Sequence, residues 1–292
     1  MERASLVESC AGEWSRYYRL PELCDLEVLH ARFVEHQFAR HAHDYFVIGY
    51  VESGVQAFGY RRARYVTAAG QTFFVNAGEM HTGESARTQG YVYRTMYPRA
   101  ALLEQAAFDV TGARALPAFD AAVVSDRKLA DLLRRFHRAL SGDAPRLLVE
   151  SSLGDALAHL IVGHTSRRRA HDRIGKERPG VSRAREYIHS HFADDVSLRE
   201  LAKVAGLSSF HLARSFEREV GQPPHAYLDL VRIRQARALL DAGAGIADAA
   251  SAVGYADQSH LTHRFKRLLG ITPGQFARAR HVTRRSGAKG CM

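Results

Sequence analysis

Residues 253–273 read VGYADQSHLTHRFKRLLGITP. Within them Leu261, Phe265 and Leu268 recur four and three residues apart, the stripe of one helix face. The other face carries Gln258, Ser259, Thr262, His263 and Lys266. A polar outer face is ordinary on a surface helix. What sets this one apart is that the chain contains the same pattern twice.

Aligned with LRELAKVAGLSSFHLARSFEREVGQPPHAY upstream, Ala202 meets Ala250, Gly206 meets Gly254 and Leu207 meets Tyr255. After one inserted residue, Leu212 meets Leu261, Phe216 meets Phe265, Gly221 meets Gly270, Pro224 meets Pro273 and Tyr227 meets Phe276. In each copy a small residue permits close helix approach, and a glycine free to take positive φ ends the first helix in a tight turn. Ser208 and Asp257 stand where the following helix needs an N-cap. This spacing predicts two helix-turn-helix units, whose second helices are of the kind that enters a DNA major groove.

The exposed positions of those second helices are Ser209, Phe210, Ala213 and Arg214 in the first copy, and Gln258, Ser259, His260, Thr262 and His263 in the second. Gln suits adenine, Arg suits guanine, and apolar atoms suit the thymine methyl. Arg218, Arg264, Lys266 and Arg267 are candidates for phosphate contacts, which supply affinity rather than specificity. His260 is equally suited to capping or packing, and Phe210 to the core.

The charge distribution agrees. Residues 1–165 hold 18 basic and 19 acidic side chains, whereas residues 166–292 hold 23 and 12, so the whole +10 formal charge belongs to the C-terminal part. Such a basic excess points to a polyanionic partner. Cys10, Cys24 and Cys291 form no disulfide framework and no metal-type spacing, as expected in a reducing cytoplasm. The first residues lack the apolar core of a signal peptide, and no stretch approaches the roughly 20 apolar residues of a membrane span.

Residues from about Leu26 to Met96 read as short β-branched and aromatic runs separated by glycines, an all-β module of sandwich or barrel type. Helical periodicity follows in Ser125–Leu140 and Arg146–His164. Leu129, Leu132, Leu133 and Phe136 form one stripe, and Leu153, Leu157, Leu160 and Ile161 another. These stripes suit either packing on the β module or a dimer seam. Ser166–Gly180 is polar, charged and closed by Pro-Gly, the composition of a linker. The expected organisation is 1–165, a linker at 166–180, and an all-α domain at 181–285, an α+β multidomain chain.

With these motifs in place, the sequence resembles the AraC/XylS family of bacterial transcription regulators over roughly Val181–Arg280. The carriers are LAKVAGLSSFHLARSF, RIRQARALL (232–240), residues 253–273 and the closing GQF. The resemblance implies a central helix, about Pro224–Leu240, between two units that enter successive major grooves, with Phe210, Ala213, Arg214, Gln258, Ser259, His260 and His263 facing bases. Two positions depart from the family pattern. Ala213 is too short for a polar base contact, and His263 stands where Arg is frequent.

The N-terminal half is similar to cupin-type sensory domains. His41 and His43 alternate on one strand face, and Gly70, Asn76, Gly78 and His81 follow the second cupin motif. His41, His43 and His81 are candidate ligand contacts, with Tyr45, Tyr60 and Tyr93, and further with Tyr91 and Arg94. Three imidazoles also suit a metal. Metal-binding cupins, however, add a carboxylate soon after the paired histidines, where this chain has Phe46, Val47, Ile48 and Gly49. The reading is therefore a metal-free pocket without a cofactor.

The expectation is a cytoplasmic, ligand-responsive regulator, an activator that binds double-stranded DNA as a homodimer, engages RNA polymerase and has no membrane role and no enzymatic activity. The competing readings are a metal-dependent cupin enzyme fused to a DNA-binding domain and a regulator that ignores ligands. Cys10 and Cys24 do not form the reactive cluster that an alkylation sensor needs.

Overall fold

The structure, a computed structural model, describes residues 12–113, 116–142, 144–166 and 179–285, with side chains omitted at Phe210 and from Arg280 onward. The chain divides into two compact units, one containing residues 42–170 with the segment before Phe38, the other residues 38–41 and 171–281. Most of the expected linker, including its arginine run, lies outside the described residues. Pro179 and Gly180, read from sequence as its close, are instead helical residues.

The strands are β1 (Trp14–Leu20), β2 (Leu26–Phe33), β3 (Phe38–His41), β4 (Val47–Tyr60), β5 (Ala63–Ala68), β6 (Thr72–Val75), β7 (His81–Ser85), β8 (Tyr91–Tyr97) and β9 (Val123–Val124), all in the first unit except β3. The sheet runs β1-β2-β8-β4-β6-β9, with β5 and β7 on β4 and β3 on β7. β4 organises it. Its first half pairs with β6 and β8, its second half with β5 and β7, and a bulge between Val51 and Ser53 marks the turn from one layer to the other.

Three helices accompany the sheet: α1 (Ala100–Thr111), α2 (Arg127–Ser141) and α3 (Arg146–His164). The sequence reading missed α1 and the strand β1. α1 is an Ala-rich helix, stopped by Gly112 at φ 71°, and it buries only Leu103 and Ala107. A helix with so narrow a buried face leaves little periodic signal. Leu129, Leu133 and Phe136 of α2 pack with Leu153, Leu157 and Leu160 of α3 against Val28, Ile48, Tyr50, Phe74 and Met96 of the sheet. The leucine stripes are thus consumed by the core, each such side chain contributing about 1.5–3 kcal/mol by burial.

The second unit contains α4 (Pro179–Ser190), α5 (Leu198–Ala205), α6 (Ser209–Val220), α7 (Pro224–Ala242), α8 (Ile246–Ala252), α9 (Gln258–Leu269) and α10 (Pro273–Arg285). α5 and α6 form one helix-turn-helix unit, α8 and α9 the other, and α7 joins them. Ala202, Leu212 and Phe216 are buried in the first, Ala250, Leu261 and Phe265 in the second. Arg183 caps the end of α5 by donating to the carbonyls of Val204 and Ala205. Arg232 of α7 donates to the carbonyls of Phe192 and Asp194.

The two turn glycines are not equivalent. Both have positive φ, 68° at Gly206 and 80° at Gly254. A Cβ at Gly206 meets only the tip of Arg183, at 3.4 Å, whereas at Gly254 it lies 2.3 Å from the carbonyl oxygen of Ala193. Gly206→Ala is expected to cost roughly 1–2 kcal/mol, the strain of a left-handed alanine. Gly254→Ala adds a backbone clash and is expected to cost roughly twice that or more. Helix melting followed by circular dichroism checks the order, and equal costs contradict it.

Candidate functional site

The recognition helices are built locally. Ser208 accepts a hydrogen bond from the His211 amide and Asp257 from the His260 amide, so each second helix starts with a side-chain cap. Each ends at a left-handed glycine, Gly221 or Gly270. With Leu212 and Phe216, or Leu261, Phe265 and Leu268, turned into the core, the opposite faces are fixed outward.

Arg214, Arg218, Gln258, Ser259, His260, His263 and Arg267 are exposed, while Ser209, Ala213, Thr262, Arg264 and Lys266 are half-buried. The side chain of Phe210 lies outside the described residues. Several candidates have partners within the protein, among them Arg218, 3.2 Å from Glu219. Arg264 sits 3.3 Å from the carboxylate of Asp229 on α7, which braces α9 from inside the unit. His260 packs its ring edge-on against Tyr255, with centroids 4.9 Å apart. Lys266 and Arg267 occupy the last turn of α9, where their charge complements the helix dipole. The Arg264–Asp229 contact joins residues remote in sequence and is invisible to periodicity.

The structure gathers the remaining candidates around the sheet. His41, His43 and His81 are buried, at 5%, 8% and 9% exposure, and place one ring nitrogen each within 4.8 Å of one another. Their Nδ1 atoms lie 2.6 Å, 2.8 Å and 3.1 Å from the carbonyl oxygens of Ala39, Tyr45 and Glu79. Each Nδ1–H therefore donates to backbone, which leaves Nε2 as the nitrogen with a lone pair. Tyr45 stacks on His43 at 3.8 Å and stands edge-on to Tyr97 at 5.5 Å.

Tyr60 lies directly across the ladder from His81. Its hydroxyl accepts from both the backbone and the side-chain amide of Asn76. Burial and a hydrogen bond with Glu79 push the Tyr60 phenol well above its ordinary range. Burial, with Tyr97 beside it, does the same to Tyr93. Tyr97 belongs to this patch and was not named from sequence; its odd numbering on β8, in step with Tyr91 and Tyr93, was the available signal.

Arg94 is the reverse case. One residue from Tyr93, it falls on the opposite face, where it donates to Glu52, which His30 also contacts at 3.1 Å. It does not line the histidine patch. Nearby, His137 on α2 is buried at 2% exposure.

Burial holds several of these rings neutral. The His30 pKa falls to about 4, through burial and the Arg94 charge against the opposing pull of Glu52. Burial also lowers His41 and His137. Below about pH 6.5 the unfolded chain takes up protons that the folded rings refuse, so stability present above that pH is lost as pH falls toward 4. The first unit is therefore expected to melt several degrees lower at about pH 5 than at about pH 7.5. Trp14, the single tryptophan, packs edge-on against His30 at 4.6 Å and reports this unit by fluorescence. A melting temperature flat across that range contradicts the reading.

Comparison with known proteins agrees with both halves. A family described as AraC-like ligand binding domain matches residues 23–157, and one described as helix-turn-helix domain matches residues 201–279. The HTH-type transcriptional regulator YbfI of Bacillus subtilis is 30% identical over 247 residues, covering 85% of this chain and 90% of that one. The HTH-type transcriptional activator RhaS of Pectobacterium carotovorum is 24% identical over 242 residues, covering 81% and 86%. An apo ToxT structure from Vibrio cholerae shares the fold, with a TM-score of 0.50 and 11% identity over 91% of this chain and 97% of that one. Two capped helix-turn-helix units behind a sheet-rich ligand-binding domain, with such a relative spanning nearly the whole length, place the chain in the AraC family of transcription regulators.

Proposed function

We propose that this regulator reads double-stranded DNA through Arg214 on α6 and Gln258 and His263 on α9, under the control of a small molecule held at the histidine patch of a cupin-like barrel. The observation that carries the reading is the pair of N-capped helices, each with its core stripe buried and its polar face outward, within the basic half of the chain. Arg218, Lys266 and Arg267 contact phosphates, while Arg264 serves mainly as a brace through Asp229.

The chemistry of the patch narrows the effector. Imidazoles whose Nδ1–H groups donate to backbone carry an acceptor at Nε2, a chemistry that suits a ligand bringing hydroxyl or N–H donors, such as a polyol. The Tyr45 and Tyr93 rings supply the apolar walls. Binding shifts the protein between two arrangements according to the ligand's affinity for each. An enzymatic reading is disfavoured: Glu79, the carboxylate nearest His81 in sequence, is paired with Arg61 at 2.6 Å and is not free as a base.

The chain acts in the cytoplasm as an activator that engages RNA polymerase, and as a homodimer. Because the leucine stripes are internal, the dimer contact is assigned to the outer face of α3. There Leu147 is 73% and Val162 74% exposed, on a shared helical face with Ser151 and Ala158.

The test is anisotropy of the protein on its own upstream DNA against scrambled DNA across a salt series, with and without a panel of polyols, alongside sedimentation of the free protein. Preference for its own region, modulated by one polyol and carried by a species of twice the chain mass, is expected. His43→Phe is expected to keep DNA binding and lose the effector response. Sequence-blind binding with no response from any ligand contradicts the reading.

A further inference from the structure

A second cluster of metal-type donors lies in the first unit, away from the barrel patch. Asp126, His159 and His164 place one ligand atom each within 4.8 Å of one another. The Nε2 atoms of both histidines lie 2.8 Å from the same carboxylate oxygen, Oδ2 of Asp126. The other oxygen, Oδ1, accepts the Leu129 amide at 3.0 Å and caps α2. One carboxylate thus performs two separate tasks, and only Oδ2 is turned toward the imidazoles.

We propose that Asp126, His159 and His164 bind one divalent transition-metal ion of the zinc class. Two imidazoles and a carboxylate are the donors such an ion takes, with remaining positions left for water. Donor atoms around a tetrahedral ion with bonds of about 2.0–2.2 Å stand roughly 3.3 Å apart, so each Nε2–Oδ2 separation opens by only about half an ångström. Binding needs a lone pair on each Nε2: a neutral ring moves its Nε2 proton to Nδ1 with no net release, and a doubly protonated ring gives up its Nε2 proton to solvent. The carboxylate is already oriented, since the Leu129 amide fixes its free rotation.

The site's place in the fold gives it consequence. His164 is the last residue of α3, and only Thr165 and Ser166 separate it from the segment leading to the DNA-binding unit. An ion here clamps the last turn of α3 to the first turn of α2. The ring of His164 rests 6.0 Å from that of Phe74, so the clamp also touches the sheet.

The test uses tag-free full-length protein, stripped with chelator and titrated with Co(II) and Zn(II). Stoichiometry is read by elemental analysis and geometry by the Co(II) visible spectrum. One equivalent is expected in the wild type. His159→Gln with His164→Gln, and separately Asp126→Asn, are each expected to weaken binding at least about 100-fold. Asn retains a cap acceptor for Leu129, so the second variant separates lost coordination from lost folding. His43→Gln with His81→Gln is expected to leave the equivalent in place. No stoichiometric ion in the wild type overturns the proposal, as does an ion that survives the Asp126 and His159/His164 variants and disappears with His43 and His81.

Discussion

Replacing Gln258 and Arg214 together by alanine is expected to abolish discrimination between the protein's own operator and scrambled DNA while leaving salt-sensitive binding to both. Each bidentate side chain reading a base edge contributes about 1–3 kcal/mol of discrimination, so the pair together accounts for a loss on the order of a hundredfold to ten-thousandfold in specific affinity. Non-specific affinity is expected to come from the phosphate contacts proposed for Arg218, Lys266 and Arg267, which the double variant keeps. Both substituted residues are exposed, and neither belongs to the buried stripes of α6 or α9, so the fold is retained. Anisotropy on the two DNAs at several salt concentrations measures the result. Undiminished preference for the operator in the double variant refutes the assignment of these two side chains.

The second large effect is on stability. Phe265→Ala is expected to cost about 3–5 kcal/mol, because it removes a fully buried ring from the second helix-turn-helix unit and leaves a cavity. The ring meets Phe276 edge-on at 5.6 Å, so the truncation also loosens α10. Against a domain stability of about 5–15 kcal/mol, that loss lowers the melting of the helical unit markedly. The two units have separable readouts. Trp14 lies in β1 and reports the first unit, whereas most of the far-ultraviolet helix signal comes from the second. The expected outcome is a tryptophan transition near its wild-type position and a dichroism transition shifted downward, with specific DNA binding weakened. Coincident, unchanged transitions contradict the packing described for Phe265.

The DNA-binding half was legible in the sequence because helical information is local. Stripes at three and four, a capping Ser208 or Asp257, and a glycine needed for positive φ are all specified within a dozen residues, and the repeat states them twice. The faces of α6 and α9 followed from those same spacings. The sequence reading also placed an all-β module first. It did not reveal α1, whose buried face is two residues wide, nor that Pro179 and Gly180 are helical.

Pairing decided the rest. Strand partners are remote in sequence, and one residue of register moves a side chain to the opposite face, which is why Tyr93 joins the histidine patch while Arg94 pairs with Glu52 behind it. Tyr60 comes to His81 only through the β4–β7 ladder. The leucines of α2 and α3 gave a stripe in the sequence, but whether it met a sheet or a second chain depended on what lay opposite. Asp126 meets His159 and His164 across 33 and 38 residues, a convergence no local pattern encodes. Local periodicity determined which faces of α6 and α9 point outward; only the tertiary pairing of distant segments decided which buried side chains come together.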